Sequence, residues 1–318
     1  MAQGWNTLAV VIEGPERLAL NRLSLPAPAP DEILVDIEWS GISTGTERLL
    51  WSGRMPPFPG MGYPLVPGYE SVGRIRELGS AVSGFAVGQR VFVPGARCFG
   101  EVRGLFGGAA SQLVVPAVRV TAVDDALGER AVLLALAATA YHALANPVAA
   151  PADLIVGHGV LGRLLARITM ALGAPAPMVW ERDERRRQGA TDYAVIDPAT
   201  DSHRRYRSIY DVSGDSRILD SLLGVLAPGG EVVLAGFYTE AMQFDFTAAF
   251  MREARIRVAA EWKEPDLKAV IALIERGALS LDGLITHRRD AQSADAAYRQ
   301  AFGDPDCLKM VLDWRHAA

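Results

Sequence analysis

Six residues in the middle of the chain constrain its fold more than any other segment. Residues 157–162 read GHGVLG, a G-x-G-x-x-G pattern that follows the apolar run LIV and opens a segment with helical spacing of apolar residues. In this context the first glycine permits a tight turn, the second lets the backbone approach a pyrophosphate, and the third lets the helix pack on the strand. The start of a helix also offers free N–H groups and a positive dipole end to phosphates. The segment therefore predicts a dinucleotide-binding loop, against the alternative of a glycine-rich turn that binds nothing.

The strand after this loop ends in an acidic residue. The run PMVWE ends at Glu181, 24 residues after Gly157, close to the spacing at which such folds bind the ribose hydroxyls. A carboxylate there accepts hydrogen bonds from a ribose diol and repels a 2′-phosphate, so the sequence favours NAD over NADP. Arg182 and the arginine run 185–187 argue the other way, because arginines bind a 2′-phosphate; a solvated face paired with neighbouring acids is the alternative. The candidate cofactor contacts are Gly157, His158, Gly159, Val160, Leu161, Gly162, Glu181 and Arg182, with Gly214 and Gly236 at the ends of two later strands.

The pattern of predicted secondary structure changes near residue 125. Before it, short apolar runs stand between Gly and Pro residues at 8–13, 33–39, 90–93 and 111–115. The run ILVDIEW alternates apolar and polar residues as a half-buried antiparallel strand does, so this part predicts a small barrel or sandwich. After it, strands alternate with helices, which is typical of a parallel sheet. From about residue 280, one more helix and the strand CLKMVLDW follow.

The length of the chain and this change of secondary-structure pattern predict two domains. A chain of 318 residues has room for about two. We expect an α/β protein with a β-rich domain from residues 1–125 and 280–318 and a doubly wound parallel-sheet domain from residues 126–279. The functional site would lie in the cleft between the domains, where such sites usually are.

The charge and the cysteine content exclude several classes of function. The 32 Lys and Arg residues are outnumbered by 37 Asp and Glu residues, and the net charge is −5. This balance argues against general nucleic-acid binding, which needs a surplus of basic residues. The two cysteines, Cys98 and Cys307, are too few for a disulfide framework or a Cys-rich zinc site.

The segment nearest to a membrane span in length lies at residues 131–152 and carries no formal charge. Prolines, polar residues and many alanines interrupt it, so we expect a buried helix between the domains and no integral membrane span. The N-terminal residues show no signal-peptide pattern, and we therefore expect a cytoplasmic protein. A weak association with a membrane stays open.

Five motifs occur along the chain in the order of a known family. Residues 41–47 read GISTGTE, 67–70 PGYE, 87–91 VGQRV, 107–110 GGAA and 139–143 TAYHA. They resemble the segments GICGTD, PGHE, GDRV, GxxAEy and TxyxA of the medium-chain dehydrogenase/reductase family. The resemblance covers nearly the whole chain. It implies a GroES-like β-rich catalytic domain joined to a Rossmann domain, in an oxidoreductase that uses a nicotinamide cofactor.

The chain departs from that family at the metal ligands. In the zinc-dependent members, a Cys of the first motif, the His of the second and a further Cys or acid hold a catalytic zinc. Here those positions are Ser43 or Thr44, then Tyr69, then a residue near Ala135. Hydroxyl and methyl groups do not make a zinc site, so the resemblance implies a zinc-less member and we expect no metal.

Without zinc, hydroxyl or carboxyl side chains must take the proton of an alcohol substrate. Tyr69 is the first candidate, because it replaces a zinc ligand; a tyrosine that only fills the empty metal position is the alternative. Thr46 stands where family members pass the proton to the cofactor ribose, or else it only begins a helix. Glu70 is a candidate base if it is buried, or else the partner of an arginine. Ser43 and Thr44 lie on the same segment as Thr46.

A closer resemblance within the family indicates the substrate. The stretches SGISTGTERLLW, MPPFPGMGYPLVPGYESVG, RGLFGGAA, LIVGHGVLGRLLAR and GALSLDGLITHRR resemble the bacteriochlorophyllide-oxidising members. This implies NAD-dependent oxidation of the 3-(1-hydroxyethyl) group of a bacteriochlorophyllide to 3-acetyl, late in bacteriochlorophyll a synthesis. Aromatic side chains suit a flat pigment, and a cation suits its propionate. The candidate substrate contacts are Arg48, Trp51, Arg54, Phe58 and Tyr63, with ordinary packing under a loop as the alternative.

Two other functions and the assembly stay open from the sequence. One alternative is a zinc-less NADPH-dependent quinone or enone reductase, against which Glu181 argues. The other is a non-catalytic binder of pigment or cofactor, against which the intact glycine loop and its acid argue. Members of the family are dimers or tetramers, often through the edge of the Rossmann sheet. We therefore expect a homo-oligomer, and the predicted strand at 256–262 is a candidate edge.

Overall fold

The computed structural model of the chain describes residues 5–57, 59–145, 150–190 and 192–317. The strands in these residues are β1 (Trp5–Gly14), β2 (Arg17–Leu25), β3 (Glu32–Ile42), β4 (Leu65–Val66), β5 (Ser71–Leu78), β6 (Arg90–Val93), β7 (Arg103–Gly104), β8 (Gln112–Pro116), β9 (Thr121–Ala122), β10 (Leu154–Val156), β11 (Met178–Trp180), β12 (Val195–Ile196), β13 (Tyr206–Asp211), β14 (Leu226–Leu234), β15 (Arg255–Val258), β16 (His287–Asp290) and β17 (Met310–Asp313). The α-helices are α1 (Thr46–Ser52), α2 (Leu134–Leu144), α3 (Val160–Ala171), α4 (Leu219–Val225), α5 (Phe246–Phe250), α6 (Glu264–Glu275) and α7 (Ala294–Gly303).

One of two structural units combines both ends of the chain, Met1–Leu134 and Leu284–Ala318. Its larger sheet runs β16-β17-β3-β5-β6-β9, and its smaller sheet runs β2-β1-β4-β7. β3 is the centre of the larger sheet, because β5 pairs along one side of it and β8 and then β17 along the other, all antiparallel. The pairing of Met310 with Ile42 brings the residues just before β17 next to the turn that follows β3.

The second unit, Ala135–Gly283, contains the parallel sheet. Its strands run in the order β12-β11-β10-β13-β14-β15, and every neighbouring pair is parallel. The chain builds outward from β10 in one direction and then crosses to β13 on its other side. Ligands of such sheets bind beyond the carboxyl ends of the strands at this point of reversal. The predicted α/β class with a doubly wound parallel sheet is confirmed.

The uncharged segment 131–152 contains the short helix α2, which has 11 residues. Residues 146–149 of that segment lie outside the described ranges. Within those ranges, no helix combines the length and the apolar character that crossing a bilayer would require.

Candidate functional site

The glycine loop joins β10 to α3, and Gly159 immediately precedes the helix. A Cβ atom placed on Gly162 would lie 1.9 Å from the carbonyl oxygen of Gly157, so only glycine allows this helix to approach this turn so closely. A Cβ atom on Gly159 would meet no atom within 4 Å. The first turn of α3 therefore faces open space at the second glycine, as the approach of a pyrophosphate requires.

A groove of about 450 Å³ lies beside this loop at the carboxyl ends of β10, β11 and β13. Gly157, Trp180, Glu181, Arg182, Ser213 and Ile218 are among the residues that line it. The Glu181 carboxylate accepts hydrogen bonds from the backbone N–H of His158 at 3.0 Å and of Asp183 at 2.9 Å. The groove thus offers an apolar wall and a fixed carboxylate beside the glycine loop, which fits the adenosine part of a dinucleotide.

Two of the arginines that follow Glu181 are paired with nearby carboxylates. Arg185 lies 2.9 Å from Asp183, and Arg187 lies 2.8 Å from Asp197. Arg182 lines the groove and is mostly exposed, with Asp215 at 3.9 Å. The alternative of an arginine face paired with acids therefore describes Arg185 and Arg187, whereas Arg182 remains beside the groove.

The side chain of His158 is completely buried. Its Nδ1 lies 2.6 Å from the carbonyl oxygen of Arg186, and its Nε2 lies 2.9 Å from the Tyr193 hydroxyl. Because a carbonyl only accepts, Nδ1 donates and Nε2 accepts from the tyrosine. Burial lowers the pKa of His158 to about 4, so the ring is neutral. Both ring nitrogens of His158, a predicted cofactor contact, are therefore paired with protein atoms.

Two buried polar residues near the loop were not predicted from the sequence. Arg163 of α3 donates to the carbonyl oxygens of His158, Arg186 and Gln188, so it ties the loop to the residues after β11. Asp211 at the end of β13 accepts from the hydroxyl of Tyr238 at 2.7 Å, and burial raises its pKa. A charged residue inside an apolar helix was the available signal for Arg163; no local pattern marks Asp211.

The predicted glycines Gly214 and Gly236 lie just beyond the ends of β13 and β14. Gly236 donates from its backbone N–H to the carbonyl oxygen of Asp211 at 3.1 Å. Because the sheet is parallel, both glycines lie at the carboxyl ends of the strands, as the glycine loop does.

Three hydroxyl side chains meet near the end of β3 in the other unit. Tyr69 donates from its phenol to the Ser43 Oγ at 2.8 Å, and its ring makes an edge contact with Phe106 at 5.4 Å. Burial and the nearby Glu70 raise the pKa of Tyr69 above its usual value, while hydrogen bonds with Ser43 and Thr46 act in the opposite direction. Tyr69 therefore keeps its proton at neutral pH. Thr44 stands on the same turn.

Glu70 is completely buried and forms an ion pair with Lys309. Both of its carboxylate oxygens accept from the lysine Nζ, at 2.8 Å and 2.6 Å. Burial raises the pKa of Glu70, and the lysine opposes that change. The expected alternative, an ion pair, therefore describes this residue, although its partner is a lysine from the far end of the chain and not an arginine.

Glu47, which sequence reasoning did not single out, is a second completely buried carboxyl group at this place. One of its oxygens accepts from the Ser43 backbone N–H at 3.2 Å, and the other accepts from the Tyr298 hydroxyl at 2.6 Å. Burial raises the pKa of Glu47 to about 7. The available signal was its place in the first motif, next to Thr46.

The structure places the candidate substrate contacts in different environments. The Tyr63 hydroxyl donates to the Leu50 carbonyl at 2.5 Å, and the Trp51 ring lies 5.5 Å from the ring of Phe302. Both rings are partly buried and pack against the apolar cluster under the loop. Arg48 and Arg54 are exposed, whereas Phe58 lies outside the described residues.

The residues at the family's zinc positions provide no set of zinc ligands. Ser43, Thr44 and Tyr69 offer hydroxyl groups, and Ala135 offers a methyl group. In the part of the chain that the structure describes, no three His, Cys, Asp or Glu residues are grouped as metal ligands. Zinc, which binds thiolate, imidazole or carboxylate, does not fit these donors.

Comparison with known proteins gives close relatives in sequence and many similar folds. Residues 29–125 match the alcohol dehydrogenase GroES-like domain family. The 2-desacetyl-2-hydroxyethyl bacteriochlorophyllide A dehydrogenase of Cereibacter sphaeroides is 58% identical over 317 residues, covering 98% of this chain and 99% of that protein.

Two solved structures with bound dinucleotides share the fold. A short chain alcohol dehydrogenase of Escherichia coli CFT073, complexed with NADH, has a TM-score of 0.83 at 22% identity and covers 97% of this chain and 99% of its own. A protein described as a zinc-binding dehydrogenase of Sinorhizobium meliloti 1021, bound to NADP, has a TM-score of 0.80 at 22% identity with the same coverage.

Two glycines of the loop differ in whether the surrounding atoms leave room for a Cβ atom. We expect Gly162→Ala to lose about 3 kcal/mol of unfolding free energy, because its Cβ collides with the Gly157 carbonyl. The matched variant Gly159→Ala should change it by less than about 1 kcal/mol, because its Cβ meets open space. Urea unfolding followed by circular dichroism measures both. Equal losses in the two variants would contradict the close packing of α3 on the turn.

The buried carboxyl of Glu47 makes stability depend on pH. Its pKa rises from 4.5 to about 7 in the fold, so the folded chain binds more protons than the unfolded chain between these values. Unfolding free energy should therefore fall by about 3 kcal/mol as the pH rises from 4.5 to 7. Glu47→Gln has no such proton, so its stability relative to the natural chain should rise by that amount over the same range.

Urea unfolding of both chains at intervals of half a pH unit measures this difference. Glu101→Gln, at an exposed turn of the same unit, is the control and should leave the pH dependence of stability unchanged. A constant difference between Glu47→Gln and the natural chain from pH 4.5 to 7 would show that Glu47 does not titrate in this range.

Proposed function

The chain belongs to the medium-chain dehydrogenase/reductase family, and we propose that it oxidises the 3-(1-hydroxyethyl) group of bacteriochlorophyllide a to 3-acetyl with NAD. It is an alcohol-type dehydrogenase that acts on a CH–OH group. The observation that carries the proposed substrate is the 58% identity with the Cereibacter sphaeroides bacteriochlorophyllide A dehydrogenase over 98% of this chain. The motif stretches of the β-rich part and of the glycine loop support the same assignment.

The residues of the parallel-sheet unit fit a nicotinamide dinucleotide. The open backbone at Gly159 and the start of α3 would hold the pyrophosphate, while Trp180 and Ile218 would flank the adenine and Glu181 would bind the ribose diol. The dinucleotide that these residues would hold would supply the acceptor for the hydride of the carbinol carbon. The fixed carboxylate of Glu181 supports NAD over NADP, because it repels a 2′-phosphate; Arg182 is the residue that would favour NADP.

Tyr69 and Ser43 are the residues that we propose for the proton of the substrate alcohol. Because Tyr69 keeps its proton and already donates it to the Ser43 Oγ, the phenol oxygen has lone pairs left to accept from the carbinol O–H. The proton of the alcohol then moves to the phenol oxygen as the phenol proton moves to the Ser43 Oγ, and Ser43 releases its own hydroxyl proton to water. The macrocycle helps, since it stabilises the positive charge that develops on the attached carbon as hydride leaves. A weak relay can therefore suffice.

We propose that this oxidation needs no zinc. Hydroxyl and methyl side chains occupy the positions at which zinc-dependent relatives carry ligands, and zinc binds such groups poorly. This site has two carboxyl groups, and each already has a protein partner. Glu47 accepts a hydrogen bond from Tyr298, and Glu70 forms an ion pair with Lys309.

The assay that tests these proposals combines the purified chain with 3-(1-hydroxyethyl)bacteriochlorophyllide a and NAD. We expect a red shift of the long-wavelength pigment band, since the acetyl carbonyl extends the conjugated system, with an equal amount of NADH. A chelator should not slow the reaction, NADP should support it more weakly, and Gly159→Ala should weaken NAD binding while the chain stays folded.

Each alternative function predicts a different result in this assay. If the chain demonstrably binds NAD but the pigment does not change, the proposed substrate is wrong. That result would favour the quinone or enone reductase. Tight pigment binding without turnover would favour the non-catalytic binder. Loss of activity with chelator, restored by zinc, would overturn the zinc-free mechanism.

We further propose a homodimer through the edge of the parallel sheet. β15 is the last strand of that sheet, and Val258 at its end is 75% exposed. Phe246, Phe250 and Met251, in the segment just before β15, are about 70% exposed as well, at 70%, 66% and 71%. Unpaired strand edges and large apolar patches are surfaces that proteins bury on association.

A charge at the sheet edge should weaken this association. We expect Val258→Lys to raise the dimer dissociation constant by at least about tenfold, because burial of a lysine opposes pairing of two edges. Val118→Lys, at a position that is 92% exposed on the other unit, is the matched control and should leave it unchanged. Analytical ultracentrifugation measures both. A natural chain that stays monomeric at micromolar concentration would overturn the proposed dimer.

The cellular location is a further proposal. We keep the expectation that the chain acts in the cytoplasm, with at most a weak membrane association that would help to deliver an insoluble pigment.

A further inference from the structure

The peptide group that joins Ile42 to Ser43 is held on both sides by buried ionisable residues. The carbonyl oxygen of Ile42 accepts from the Lys309 Nζ at 3.3 Å. The N–H of Ser43, which belongs to the same peptide group, donates to a carboxyl oxygen of Glu47 at 3.2 Å. Glu47 and Lys309 are almost completely buried, so no solvent competes for either hydrogen bond.

Each of these two residues has its own buried partner. Lys309 is paired with Glu70, at 2.6 Å. Glu47 accepts from the hydroxyl of Tyr298 at 2.6 Å, and Tyr298 on α7 is itself fully buried. Four side chains thus form a clamp on one peptide group; we call Glu47, Tyr298, Glu70 and Lys309 the peptide clamp.

The close packing of the peptide clamp depends on Gly41. A Cβ atom on that residue would lie 2.2 Å from a carboxylate oxygen of Glu70. The backbone N–H of Gly41 also donates to the Glu70 carbonyl at 2.8 Å. Gly41, which precedes the clamped peptide, therefore leaves the space that Glu70 fills.

The peptide clamp stands directly beside the two hydroxyl groups proposed for proton transfer. The clamped peptide group fixes the backbone of Ser43 and so the direction of its Oγ, which accepts from Tyr69. Tyr69 directly precedes Glu70 in the chain. In a metal site, hydrogen bonds from surrounding residues fix the direction of the ligands, and the peptide clamp can orient these hydroxyl groups in the same way.

We propose that Tyr298 is a positioning residue for the reaction, acting through Glu47 on Ser43 and Tyr69. This inference rests on the proposed function, because its kinetic part needs oxidation of the pigment alcohol. Without the tyrosine hydroxyl, one oxygen of Glu47 loses its donor in a place that water does not reach. The carboxyl then reorients, the clamped peptide loosens, and the Ser43 Oγ leaves the line to Tyr69.

Tyr298→Phe is the test, since it removes one hydroxyl and keeps the ring in place. We expect kcat to fall about 10- to 100-fold, as small misplacements of reacting groups do, with the KM values for pigment and NAD changed less than about twofold. The control is Tyr210→Phe, a fully buried tyrosine whose hydroxyl donates to the Ala150 carbonyl in the other unit. It should lose stability without losing kcat.

A double-mutant cycle separates positioning from a general structural role. If Tyr298 acts through Ser43, then Tyr298→Phe should cost almost nothing further in a chain that already carries Ser43→Ala. If the two losses in kcat instead multiply, the role of Tyr298 is structural and the inference is overturned.

The pH profile of kcat provides a second test of the coupling between Tyr298 and Glu47. Glu47 is faced by Tyr298 from α7, by Glu70 before β5 and by Lys309 before β17. The tyrosine hydrogen bond lowers the pKa of Glu47, so Tyr298→Phe should move the corresponding inflection to higher pH. Glu47→Gln should remove it. An inflection that Glu47→Gln leaves in place would overturn the coupling.

An activity-independent measurement keeps this inference distinct from the proposed function. Hydrogen exchange of the Ser43 amide, followed by NMR, should be at least about tenfold faster in Tyr298→Phe than in Tyr210→Phe. Unchanged exchange overturns the peptide clamp whatever the substrate is. Faster exchange in a natural chain that does not oxidise the pigment supports the clamp and overturns the proposed function alone.

Discussion

The ion pair between Glu70 and Lys309 is the constraint on which the arrangement of the β-rich unit depends. A lysine buried without a partner is costly, and removal of one member of a buried pair destabilises a protein strongly. The pair joins residues 239 positions apart, so it forms only if the end of the chain returns to β3. The pairing of β17 with β3 makes that return, and the same return brings α7 and Tyr298 to Glu47. One buried pair therefore links the end of the fold to the proposed reacting groups.

The glycine loop and the fold class could be predicted from the sequence because their signals are local. A strand, three glycines and a helix follow each other within ten residues, and each glycine has a separate steric reason. The direction of the His158 side chain could not be predicted, because it depends on Tyr193, 35 residues away. The periodicity of apolar residues places an element, whereas the partner of a buried polar group depends on how distant elements meet.

The β-rich unit shows the same limit more strongly. Tyr69 and Ser43 were chosen as replaced zinc ligands, and the structure joins them by a hydrogen bond. Glu47 and Tyr298, which are 251 positions apart, left no local pattern for their pairing. The aromatic residues of the 51–63 loop had the composition of a pigment wall, yet Trp51 and Tyr63 pack against the apolar cluster below them. Composition cannot distinguish these two roles, because both bury apolar surface.

The two units prepare their chemistry by the same physical means, which is to fix the backbone before a ligand arrives. In the parallel-sheet unit, the absence of a side chain at Gly162 lets α3 approach the turn at Gly157, and free N–H groups are left in fixed directions. In the β-rich unit, the buried side chains of Glu47 and Lys309 hold the peptide before Ser43. Groups that are already oriented lose little entropy when the transition state forms. At this site, hydroxyl groups stand where zinc-dependent relatives carry metal ligands. The backbone of the chain itself must therefore orient them.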